Sequence, residues 1–69
     1  ELHEHLSEAI ATLPLRYRVP VVLRDVEGWS YADIARMTGT QPGTVKSRIS
    51  RARQQLKEKL EPYVNGARK

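Results

Sequence analysis

The chain has no cysteine, no phenylalanine and a single tryptophan among its 69 residues. Without cysteine, neither a disulfide framework nor thiolate metal ligands can reinforce a small core, and the composition fits a reducing compartment. No apolar run approaches the ~18 residues of a membrane span, and no signal peptide is visible. Internal repeats and low-complexity segments are also missing, which leaves one small domain near the lower limit for folding alone. Acids are scarce in the second part of the chain. Residues 1–40 hold four Arg against six acids, a net of −2, whereas residues 41–69 hold eight bases against Glu58 and Glu61, a net of +6. Charge segregated in this way points to a polyanionic partner.

Signs of catalysis are equally thin. No serine has a base and an orienting acid at useful spacing, and no Gly-rich loop follows a strand. The chain is therefore read as a non-enzyme without a cofactor. His3 and His5 fall two apart on a helix, on different faces, with no companion ligands, so no metal site is expected.

What is present is helical periodicity. Leu2, Leu6, Ile10 and Leu13 predict a first amphipathic helix of about three turns. Pro14 suits the first position of a second helix, which would turn Val19, Val22, Leu23 and Val26 inward and stop at Gly28. Pro20 inside it predicts a bend or a late start. In "GWSYADIA", Ser30 is a helix cap, Asp33 the acid of a capping box, and Trp29 with Ile34 a hydrophobic staple. Gly39 supplies a left-handed stop, and Thr40 a cap for a fourth helix starting at Gln41 or Pro42. So short a turn between helices three and four predicts a helix-turn-helix. The expected fold is all-α: a single four-helix, winged-helix-like domain over residues 1–64, with a disordered tail over 65–69. A chain that starts at Glu1 reads as a piece of a longer one.

The fourth helix carries the charge. "GTVKSRISRARQQLKEKL", residues 43–60, has six Lys or Arg and one acid. Val45, Ile49, Ala52, Leu56 and Leu60 form one apolar stripe. Gly43, Ser47, Ser50, Arg51 and Gln54 lie opposite it, flanked by Thr44 and Lys46. Small residues let a backbone approach closely, and Arg and Lys reach phosphates or the O6 and N7 of guanine. A helix meant only for solubility would intersperse Glu for i,i+4 pairs. A membrane-surface helix would need a wide aromatic and Leu face, and Ala52 and Val45 instead suit close helix packing. Lys57 and Lys59, further along, would meet DNA only at its backbone. An apolar groove for a partner helix is the second class of function, compatible with the first.

The words "LPLRYRVPVVLRDVEGWSYADIA" and "GTVKSRISRAR", separated by the glycine turn, resemble region 4 of the extracytoplasmic-function (ECF) sigma factors of bacterial RNA polymerase. The resemblance covers residues 13–56 and implies a cytoplasmic, sigma region 4 type domain that binds double-stranded DNA at the −35 promoter element. It implies that Lys46, Ser47, Ser50 and Arg51 face the groove, with Gln41, Gly43 and Thr44 at its mouth, and that Arg24 and Tyr31 touch phosphate beside it. The implied partners are promoter DNA, the β flap of the RNA polymerase core, and an anti-sigma factor. Recognition of the −10 element would fall to another domain. Thr38 and Thr40 depart from the family's apolar preference beside the turn, which predicts looser packing there. Ser50 is smaller than in some members, which predicts a different base preference. Response-regulator helix-turn-helix domains share the "TVK" start but lack the lead-in and the "SRISRAR" run, and rank second.

Overall fold

A computed structural model describes the backbone of residues 2–67 and the side chains of residues 3–64. The order is α1 (Leu2–Thr12), α2 (Leu15–Val21), a π-helical turn (Val22–Val26), α3 (Tyr31–Thr38) and α4 (Pro42–Ala67). Every element among the described residues is helical, as the periodicity predicts. Of the tail expected over residues 65–69, residues 65–67 continue α4 and residues 68–69 lie outside the described part. At 26 residues, α4 is roughly 39 Å long by its 1.5 Å rise per residue. It is the spine against which the other helices pack.

Two apolar clusters fix them there. Ile34 and Ala35 of α3 meet Val45 and Ile49 of α4, with Leu23, Trp29 and Tyr31 around them. Leu13 and Val21 meet Ala52, with Tyr17, Val22 and Leu56 alongside. Ile34, Val45, Ile49 and Leu13 are at most 1 % exposed, so each contributes about 1.5–3 kcal/mol of apolar transfer to the fold.

The second helix departs from expectation. Pro14 precedes α2 rather than opening it, and Pro20 does not delay the start of the helix: α2 begins at Leu15, with Pro20 buried inside it. The irregularity comes two residues later, where the chain widens to π-helical and Glu27 N–H donates to the Val22 carbonyl at 3.1 Å. A π-turn rotates the chain less per residue than an α-turn. Val26 therefore leaves the face that Val22 occupies and stands 64 % exposed, not inward, while Val21 takes the buried place. The Trp29 N–H then closes onto the Leu23 carbonyl at 2.9 Å.

Around α3 the local chemistry behaves largely as predicted. Ser30 is extended and its hydroxyl accepts from the Asp33 N–H at 3.1 Å. The other half of the box is absent, because the Asp33 carboxylate pairs with Arg36. Trp29 packs on the cluster containing Ile34, as a staple should. Gly39 is left-handed at φ 68° and ψ 31°, and the following N–H, of Thr40, returns to the Ala35 carbonyl at 3.0 Å. Thr40 does not cap α4. Its hydroxyl pairs with that of Thr38 at 2.9 Å, while Thr38 also donates to the Ile34 carbonyl at 2.8 Å. Helix α4 begins at Pro42, with the Gln41 carbonyl accepting from Val45 N–H at 3.1 Å. The two threonines beside the turn are thus hydrogen-bonded to each other, and Thr38 is tied to the backbone of α3.

Candidate nucleic-acid interface

The stripe of α4 decides what its other side shows. With Val45, Ile49 and Ala52 buried against α2 and α3, the exposed side of the first three turns carries Gly43, Lys46, Ser47, Ser50 and Arg51. Gln41 is exposed just ahead of the helix, and Thr44 is partly covered. These expected groove-facing positions therefore share one solvent face. Beyond its chain neighbours and the backbone of its own helix, Gly43 has no heavy atom within 4 Å of where a Cβ would stand, so the face there is open as well as small.

Helix α2 adds a wall to that face. Arg16 and Tyr17 line a single concavity together with Gly43, Thr44, Ser47, Arg48 and Arg51. Arg48 belongs to the same edge of α4 as Thr44 and Arg51, four residues after one and three before the other, so its place was legible in the spacing. Arg16 and Tyr17 had no such signal: only the packing of α2 on α4 brings them here.

Arg24 and Tyr31 form a separate unit. The Arg24 guanidinium donates to the Trp29 carbonyl at 2.9 Å and lies over the Tyr31 ring, 4.7 Å from its centroid. Both side chains are partly covered, and Arg24 holds the segment that leads into α3. The guanidinium keeps further N–H donors beyond the one spent on Trp29.

Not every base on α4 is available. Arg53 makes two hydrogen bonds to Asp25, at 3.0 and 2.6 Å. The hydrogen bond from Arg53 holds the Asp25 carboxyl below its ordinary value, outweighing partial burial, with the nearby charges of Arg53 and Arg24 adding to it. Arg53 is raised by the same bond. Lys59 turns the other way, onto a concavity between α1 and α4 with His5, Glu8 and Tyr63, and so does not extend the basic face. His5 stacks on Tyr63 there with centroids 3.8 Å apart, and its Nδ1 is 3.6 Å from Glu8. Among the described residues, Arg16, Lys46, Arg48 and Arg51 enter no ion pair. Four cations without acids, around a face of small and hydroxylated residues, make a surface for a polyanion.

Comparison with known proteins agrees with this geometry. Residues 3–56 match the family described as Sigma-70, region 4. The chain is 49 % identical over 55 residues to the ECF RNA polymerase sigma factor SigE of Mycolicibacterium smegmatis, covering 80 % of this chain and 21 % of that protein. It is 40 % identical over 64 residues to the ECF RNA polymerase sigma-E factor of Haemophilus influenzae, covering 93 % and 34 %. With the ECF RNA polymerase sigma factor SigM of Mycobacterium tuberculosis it shares 47 % over 60 residues, covering 87 % and 30 %. The chain thus spans only between 21 % and 34 % of the length of these relatives.

Proposed function

This chain belongs to the Sigma-70 region 4 family, and on that premise we propose that it is the −35 element-binding domain of an ECF sigma factor, directing RNA polymerase to promoters. The observation that carries the reading is the opposition on α4 between a stripe buried to 0 % at Val45 and Ala52 and an exposed face with unpaired Lys46 and Arg51. Such a helix, held at its N-terminal end by α3 and the Gly39 turn, is the second helix of a helix-turn-helix, the one that enters the major groove. In this reading Lys46 and Arg51 reach base edges, while Ser47 and Ser50 allow the close approach. Gln41, Gly43 and Thr44 border the groove, and Arg24 and Tyr31 sit against phosphate.

The polymerase core, through its β flap, and an anti-sigma factor are further proposed partners; the relatives named above are RNA polymerase sigma factors. The family match runs through the lead-in before α3, which supports this reading over a response-regulator domain. The test is selection from a random duplex library with the purified chain. Enrichment of one short motif supports the assignment, and recovery of unenriched sequence at every salt concentration would overturn it.

A further inference from the structure

We infer that Arg16 of α2 clamps a backbone phosphate of the bound duplex against the Arg48–Arg51 edge of α4. This rests on the proposed DNA-binding reading and adds a contact from outside the helix-turn-helix. Three observations carry it. Arg16 and Tyr17 wall the same concavity as Thr44, Ser47, Arg48 and Arg51. Its floor and rim offer hydroxyls and guanidinium groups, the donors that bind phosphate oxygens. The Arg16 guanidinium also lies over the Tyr17 ring, 4.8 Å from its centroid. Tyr17 itself packs on the cluster of Leu13, Val21 and Ala52, so the ring is anchored in the core that fixes α2 to α4. A cation held this way loses less side-chain freedom on binding than one waving in solvent. Finally, Arg16 enters no ion pair among the described residues, so no acid must be displaced before an anion is bound.

The phosphate assignment makes a sharper demand than general basicity. Removing one phosphate contact lowers the salt dependence of binding by about one ion and weakens all sequences alike. The experiment measures duplex affinity against salt for the parent, Arg16→Ala, Arg16→Lys and Tyr17→Leu, on the selected site and on a scrambled duplex, with melting followed in parallel. Arg16→Ala should reduce the salt slope by about 1 and weaken both duplexes by the same factor. Arg16→Lys should keep the slope. Tyr17→Leu should lose affinity without a change of slope, since the charge remains but its support is gone. An unchanged slope and affinity in Arg16→Ala, with the parent binding normally, would overturn the clamp and leave the promoter-binding reading standing. A loss confined to the selected site would make Arg16 a base reader and overturn the phosphate assignment. A parent that binds neither duplex would overturn the underlying reading, and the clamp with it.

Discussion

Arg53 of α4 holds Asp25 of the π-helical turn through two hydrogen bonds, at 3.0 and 2.6 Å, and this pair ties the segment before α3 to the helix that carries the basic face. It also separates two roles on α4. Arg53 braces the fold, while Lys46, Arg48 and Arg51 enter no ion pair among the described residues.

The pair gives a pH dependence of known sign. Arg53 lowers the Asp25 carboxyl below 3.8, so its contribution is present above about pH 4 and fades as pH falls through the lower folded value. Both side chains are more than a third exposed, which limits the contribution to about 1 kcal/mol or less. Denaturant unfolding from pH 7 to pH 2.5 should show Asp25→Asn losing less stability on acidification than the parent. Coincident curves would mean that the pair adds nothing. Arg53→Ala should lower stability and leave the salt slope of DNA binding unchanged.

Gly39 supports a second test. Its φ of 68° strains β-branched side chains, yet no atom beyond its chain neighbours lies within 4 Å of an added Cβ. The main penalty of Gly39→Val is therefore backbone strain, on the order of 1–3 kcal/mol, a large part of the stability of so small a domain. Gly39→Asn, which tolerates the left-handed region, should lose much less. Thermal melting separates the two; equal melting of both variants with the parent would remove Gly39 from the turn's stability.

The Thr38–Thr40 pair should behave as a coupled unit. Thr38→Val removes a donor to the Ile34 carbonyl and a partner of Thr40, at about 0.5–1.5 kcal/mol. In a double-mutant cycle, Thr38→Val with Thr40→Val should cost less than the two single changes added together. Additive losses would show that the hydroxyls act separately.

Arg51→Ala should cost about 1–3 kcal/mol on the selected duplex and relax preference at one base position. Repeating the library selection with the variant reads this directly. Equal losses on selected and scrambled duplexes would assign Arg51 to phosphate instead.

How much of this was legible in the sequence follows the range of the interactions. The Ser30 cap, the Trp29 staple and the Gly39 stop are settled within a few residues, and all three are found where the sequence puts them. The stripe of α4 is likewise a matter of spacing. The π-turn was not legible, because nothing in "VLRDV" marks a wider helix, and one changed rotation was enough to send Val26 outward. The pairing of the Asp33 carboxylate with Arg36 rather than the Ser30 N–H was not legible, because an acid at this spacing can serve either partner. The roles of Arg16, Arg53 and Lys59 are tertiary: each depends on which helix lies beside it. Sequence spacing found the exposed basic side of α4 but not its wall.

The central claim is that the N-terminal half of α4 is the surface that meets duplex DNA. An amide chemical-shift titration of the isotopically labelled chain with the selected duplex tests it most directly. The account predicts that the largest shifts fall in residues 41–54, with further shifts at Arg16, Tyr17, Arg24 and Tyr31, while residues around His5 and Glu8 stay still. Shifts centred on the α1–α4 concavity near His5 and Tyr63, with residues 43–51 unmoved, would contradict it.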